Sequence, residues 1–173
     1  MEMSTEKIRI VFQKIYEEYA DGIFRYCYFQ VSERERAKDL TQDTFIKFWE
    51  YVSAGNEVEH NKSFLYRIAT NTIIDYRRKN KAISLEKITE EGFDLADERD
   101  EGKEKEILFE GEQAVRAVAE LPEKYRDVLM LRYVDDFSIK EIAEISGEKE
   151  NNVSVRIHRG LDKLKIILDK YNG

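Results

Sequence analysis

The chain has 173 residues, 38% of them charged, with one proline, one cysteine and a net charge of −7. Its length bounds it to one or two small domains. It holds no run of 18 apolar residues, so no membrane insertion is expected, and the N-terminal MEMSTEKIRIVFQK lacks a signal-peptide core, which points to the cytoplasm. The scarcity of helix breakers predicts an all-α fold. The lone Cys27 cannot form an internal disulfide; among Phe24, Tyr26 and Tyr28 it reads as a buried, inert thiol.

The charge is unevenly spread. Ser84 to Gln113 carries twelve acids against four bases, a balance of −8, which leaves the remainder at +1. Lys62 to Lys81 sets six bases against Asp75, and Asn151 to Lys170 sets five against Asp162 and Asp169. Two basic islands flank an acidic bridge, so local fields matter more than the total.

In chain order, Ile8, Val11, Phe12, Ile15, Tyr19, Ile23 and Tyr26 recur at threes and fours and predict a long amphipathic helix to about Phe29. Ser32 with Glu35 has the spacing of a capping box and predicts the start of a second helix, running to about Val52. Its inward side is Ala37, Leu40, Thr41, Thr44, Phe45, Phe48 and Val52, with Trp49 at the edge. Its outward side collects Asp39, Gln42, Asp43 and Glu50 around Ile46. An apolar side chain ringed by acids fits the anchor of a contact with a basic partner, although a single exposed Ile is also common on solvated faces.

Tyr51 to Lys62 reads as a loop. A third helix follows from Ser63 to about Asn80, with Leu65, Ile68, Ala69, Thr72 and Tyr76 inward. Arg67, Asn71, Ile74 and Arg78 share one outer face, and Arg77, Lys79 and Lys81 add charge at its end. Cations at a helix C-terminus are favoured by the dipole in any protein. A basic, Asn-bearing face beside a loop, with Tyr51 and Tyr66 near, also suits a nucleic-acid strand stacked on aromatics.

Residues 83–103 read as an acidic linker, with a short helix at Leu85 to Ile88, between a first domain (1–82) and a second (104–173). In the second, a helix resumes at Glu104 and ends before Pro122. Pro122 opens the next helix, which Asp135-Asp136 breaks. Ser138 with Glu141 is another capping box; Ile142, Ala143 and Ile145 give an apolar side, and Gly147 suits a left-handed turn. The last helix carries Val153, Ile157, Leu161, Leu164 and Leu168 as one stripe, with Asn151, Asn152, Val155, His158 and Arg159 opposite and Arg156 on a flank. Ala143, Gly147 and Val153 have the spacing of a DNA-binding helix-turn-helix within a four-helix unit. Gly160, mid-helix beside the stripe, points to close packing there. The reading beside it is an ordinary helical hairpin with a solvated face.

Glu57 and His60 have the i, i+3 spacing of a di-iron pair, but the only other histidine is His158, so no metal site is expected. Two histidines and one cysteine, far apart, supply no catalytic cluster and imply no enzyme.

Three stretches resemble bacterial RNA polymerase sigma factors of the extracytoplasmic-function (ECF) type, over roughly residues 8–80 and 104–169. DLTQDTFIKFWE (Asp39–Glu50) is similar to the polymerase-binding helix of that family. FLYRIATNTIIDYRRK (Phe64–Lys79) is similar to its minus-ten segment, with Phe64 where Trp is frequent. LPEKYRDVLMLRYVDDFSIKEIAEISGEKENNVSVRIHRGLDKLK (Leu121–Lys165) is similar to its minus-thirty-five domain, with Ser154 and Val155 where a basic residue and Ser are expected.

The resemblance implies a cofactor-free initiation factor. It would bind core RNA polymerase through the clamp coiled coil and flap, direct promoter-specific initiation and aid melting. Asp39, Gln42, Asp43, Ile46, Trp49 and Glu50 would meet the polymerase. Asn56, Arg67, Asn71, Arg77 and Arg78 would engage the minus-ten strand, where a base is flipped out. Asn151, Asn152, Ser154, Val155, Arg156, His158 and Arg159 would face the minus-thirty-five duplex. An anti-sigma factor is a common partner in the family. The alternative is a helix-turn-helix regulator acting on DNA without the polymerase core.

Overall fold

The computed structural model describes residues 5–91 and 112–172, with side chains over 5–84 and 116–171. The described residues form helices and short connections, with no strand among them. Most of the expected acidic linker and the start of the helix expected from Glu104 lie outside the described residues.

α1 spans Thr5–Val31, α2 Arg34–Ser53 and α3 Asn61–Glu91, and the three pack on one another. Ile23, Tyr26, Phe45, Phe48, Leu65, Ala69 and Ile73 form the core of this domain. Thr41 and Thr44 are buried among them, and each hydroxyl donates back to a carbonyl four residues earlier, so neither is left unpaired.

The capping box expected at Ser32 is not formed. Ser32 takes φ +55° and its N–H bonds to Tyr28 O at 2.8 Å, so it closes α1 instead of opening α2. An N-cap needs extended backbone, and Ser32 has already spent its conformation on the left-handed turn. Glu33 caps α2 through its backbone alone, and Glu35 pairs with Lys38 at 2.6 Å. α3 also runs beyond the expected end at Asn80, through Leu85 to Ile88, to Glu91. Falling apolar periodicity does not stop a helix. Between Asn80 and Gly92 the chain holds good helix formers and no glycine or proline.

In the second domain α4 is Glu112–Glu120 and α5 Glu123–Leu129, the latter prolonged by a π-helical turn at Met130–Val134. α6 is Ile139–Ser146 and α7 Glu150–Asn172. Pro122 stands immediately before α5, where its missing N–H leaves no helical bond unmade. Here the capping box is complete: Ser138 Oγ accepts from Glu141 N at 3.2 Å and Ser138 N donates to Glu141 Oε2 at 2.8 Å. Gly147 ends α6 at φ +71°, and its N–H bonds to Ala143 O. Val153 and Ile157 are buried against α6 and α5. A Cβ on the buried Gly160 would sit 3.2 Å from Leu129 Cδ1 and 3.3 Å from Tyr125 Cβ, which confirms close packing there. The predicted stripe breaks at Leu161, 39% exposed, because α5 meets α7 along Gly160.

The two domains touch along α1, α3, α5 and α6. Tyr66 stacks edge-on against Phe137 at 4.9 Å, and Lys62 lies over the same ring. Asp135, read from the sequence as a helix breaker, is buried at this seam.

Candidate nucleic-acid interface

On α2, Asp39, Gln42, Asp43, Ile46 and Glu50 are all exposed and share one face, while the opposite face is core. Ile46 is 53% exposed. Trp49 is half-buried at the edge, its ring perpendicular to Phe12 at 5.1 Å, so it fixes the rim of the face from beneath. An isoleucine left half-exposed among carboxylates gains only part of its burial energy on folding, which leaves this face available for a partner.

Arg67, Asn71, Ile74 and Arg78 lie exposed along α3. The loop beside them is shaped by Asn56, whose Nδ2 donates to Tyr51 O at 3.0 Å. Tyr51 packs on Phe64 at 4.7 Å and stays partly exposed. Tyr51, Phe64 and Arg67 border a cavity of about 270 Å³ whose other walls are Glu57, Val58, Glu59, His60 and Ser63, with Glu144 and Ile145 of α6 across from them. Its aromatic walls suit a stacked base, with Arg67 set against the carboxylates of Glu57, Glu59 and Glu144.

Two expectations change here. Tyr66 is buried rather than available for stacking; its hydroxyl donates to Asp135 Oδ1 at 2.6 Å. Arg77 is turned inward, away from the outer face. It donates to Gln30 Oε1 at 2.7 Å and pairs with Glu123 at 3.4 Å and Asp127 at 3.6 Å. It sits one step round the helix from Arg78, a rotation of about 100°, which carries it from the open face to the domain seam.

On α7, Asn151, Asn152, Val155, His158 and Arg159 are exposed and Ser154 is half-buried. His158 Nδ1 lies 2.9 Å from Ser154 O. A carbonyl only accepts, so Nδ1 carries the proton and Nε2 is left facing outward. Arg156 is held back: its guanidinium donates to Lys124 O at 2.6 and 3.0 Å and pairs with Glu148. It braces α7 against the start of α5. Among the described residues no His, Cys, Asp or Glu cluster forms a metal site.

Two buried acids carry no local signature in the sequence. Burial pushes the Asp135 carboxyl above its ordinary value, against the opposing pull of Tyr66 and Arg25, whose Nη2 lies 3.2 Å away. Burial likewise raises Asp127, against the nearby charge of Arg77. Arg126 is a third missed residue. It donates to Phe29 O at 2.9 Å and to Ala119 O and Leu121 O at 3.0 and 2.9 Å, satisfying carbonyls at the ends of α1 and α4. Each could have been flagged only as a charge set among apolar residues.

Among the described residues, a purely helical architecture with an acid-ringed apolar face, a basic aromatic-lined face and a helix-turn-helix defines a two-domain DNA-reading protein. Residues 15–83 match the family model of sigma-70 region 2, and residues 111–164 that of sigma-70 region 4. The chain is 31% identical over 153 residues to RNA polymerase sigma factor SigV of Bacillus subtilis, covering 88% of each. It is also 31% identical to the ECF sigma factor SigW of the same organism, covering 89% of this chain and 87% of that one. Among solved structures it resembles a sigma factor RpoE from Bartonella quintana, crystallised with the anti-sigma factor NepR, with TM-score 0.73 at 18% identity over 91% of this chain and 96% of that one. The chain belongs to the ECF RNA polymerase sigma factors. It binds core RNA polymerase and promoter DNA and serves promoter-specific initiation. The family is not one of enzymes, and no described helix is long and apolar enough to cross a membrane.

Proposed function

We propose that the outer face of α2, centred on Ile46 and flanked by Asp39, Gln42, Asp43 and Glu50, is the polymerase docking surface, with Trp49 supporting its rim. The carrying observation is the exposure of Ile46 on a helix whose other side is fully packed. Apolar contact supplies the affinity and the carboxylates steer a basic partner. The face of Arg67, Asn71 and Arg78 with the Asn56 loop takes the minus-ten strand, and the cavity at Arg67 receives a displaced base. Asn151, Asn152, Val155, His158 and Arg159 read the minus-thirty-five duplex, and Arg77 and Arg156 join their surfaces only after leaving their present partners. The protein works inside the cell, where its polymerase is, and has no active site of its own. An anti-sigma factor, as bound by the Bartonella protein, is its natural inhibitor.

Gel filtration with sigma-free core polymerase tests the first assignment. Wild type co-elutes, and Ile46→Asp, a change at a half-exposed position, elutes alone with unchanged helicity. Co-elution of the variant at unchanged affinity would overturn the docking face.

A further inference from the structure

The outward face of α7 has an apolar side chain at its centre. Val155 is 40% exposed, whereas Val153 and Ile157 on either side of it are buried. Its neighbours on that face, Asn151, Asn152, His158 and Arg159, are polar and exposed. A β-branched residue at such a position gains only part of its burial energy and loses side-chain freedom to the helix. At an interface the same stiffness helps. The helix already holds χ1, so the methyl groups are placed in advance and little freedom remains to be lost on contact.

His158 lies three residues further on, about 4.5 Å along the axis and on the same side. Its Nδ1 is 2.9 Å from Ser154 O, which fixes both the rotation of the ring and its tautomer. In the neutral ring Nδ1 carries the proton, and Nε2 presents a lone pair outward. That lone pair can only accept. In the major groove the base donors are the amines of adenine and cytosine, whereas guanine and thymine offer acceptors there.

The surroundings narrow the face further. Arg156 is tied to Lys124 O and Glu148, which leaves Arg159 as the exposed guanidinium beside Val155 and His158. Asp162, exposed one turn beyond His158, ends the reading surface, because backbone phosphates repel its carboxylate. Val155 also stands where the resemblance leads to a Ser. A hydroxyl bonds several bases, whereas an aliphatic group there selects the thymine methyl.

On the placement of α7 against the minus-thirty-five duplex, we infer that Val155 and His158 are specificity-determining residues of this chain. Val155 covers a thymine methyl. His158 accepts from the amine of an adenine or cytosine on the same or the neighbouring base pair, since 4.5 Å along the helix compares with about 3.4 Å between base pairs.

The test uses the full chain bound to core RNA polymerase, at pH 8, with a pool of promoter duplexes randomised over the minus-thirty-five element. Bound duplexes are recovered and sequenced for wild type, Val155→Ala, His158→Arg and Asn152→Ala. All three positions are exposed, so each variant should keep the wild-type helix signal. The wild-type motif should contain a thymine that Val155→Ala no longer selects. On that pair or the next, it should contain an adenine or cytosine that His158→Arg replaces by guanine, with relative preference moved about tenfold. Replacing the thymine by deoxyuridine removes its methyl alone. This should weaken wild-type binding about fourfold, as expected for one buried methyl group, and leave Val155→Ala unaffected. An equal deoxyuridine penalty in both proteins overturns the methyl contact. A motif changed by Asn152→Ala but by neither of the other variants leaves α7 as the reader and overturns both selective roles. A motif changed by none of the three removes α7 from the minus-thirty-five element, and the two roles fall with it.

Discussion

The first domain is built from long helices, with 27, 20 and 31 described residues, around an aromatic core; in the second domain α5 and α6 have only seven and eight residues. In a long helix most backbone groups bond internally, so the outer side chains are free for partners. In a short helix the unbonded ends are a large share of the whole, and polar side chains must satisfy them. Arg126 bonds Ala119 O and Leu121 O at the end of α4, Ser138 and Glu141 close the start of α6, and Arg156 is spent tying α7 to Lys124 O. The basic residues of α3 therefore present a nearly complete surface, whereas those of the second domain divide between structure and recognition.

This contrast is tested most severely in the cores. Phe48 is 1% exposed and touches Phe12 and Phe64. Phe48→Ala should destabilise the first domain by about 3–5 kcal/mol, enough to unfold much of it in a chemical denaturation followed by circular dichroism. In the second domain the corresponding weak point is a place with no side chain. Gly160→Leu forces a branched group against Leu129 and Tyr125, and a loss of about 1–3 kcal/mol is expected. A larger loss at Gly160 than at Phe48 would reverse the ranking of the two cores.

Tyrosine ionisation separates what belongs to one domain from what belongs to the seam. Burial raises both Tyr26 and Tyr66 well above the ordinary value of about 10, and the charge of Asp135 adds to the effect at Tyr66. A raised value means the folded state holds the proton more tightly. The contribution to stability is therefore full below about pH 10 and is lost as the pH climbs beyond it. In an alkaline titration followed by tyrosinate absorbance, these two of the ten tyrosines should ionise last, together with loss of helix. Asp135→Asn should advance Tyr66 and leave Tyr26, bonded to Thr70 inside the first domain, where it was. Advance of both would mean that the seam and the first core are one unit.

Much of this was legible in the sequence, for identifiable reasons. The inner and outer faces of α2 and α3 follow from periodicity, because a helix buried on one side shows its pattern over many turns. The capping box at Ser138, the turn at Gly147 and the packing at Gly160 were readable because one residue type serves one local geometry. The seam was not. Asp135 next to Asp136 carries the signature of a helix stop, and Asp136 does adopt φ +64° there. Nothing local distinguishes an aspartate that ends a helix from one that also receives a tyrosine 69 positions away. Arg77 and Arg78 are likewise adjacent cations, and only the position of the second domain decides which is drawn inward. Long-range electrostatic pairing leaves no period to read.

The smallest expected effect is the one that isolates the local rule. Ser32-x-x-Glu35 and Ser138-x-x-Glu141 have the same spacing, yet only the second forms reciprocal bonds. Ser138→Ala removes an acceptor from the first turn of α6 and should lose about 1 kcal/mol. Glu141, whose carboxyl is held below its ordinary value first by the Ser138 N–H, keeps that bond in the variant. Ser32→Ala removes no cap bond, and alanine at φ +55° is strained about as serine is, so its loss should stay within about 0.5 kcal/mol. Ser32→Gly should be neutral or slightly stabilising, because glycine relieves the left-handed strain. Equal losses from the two alanine variants would mean that Ser32 does cap α2 in solution. The turn between α1 and α2 would then differ from the one described, and with it the angle at which the docking face of α2 is presented.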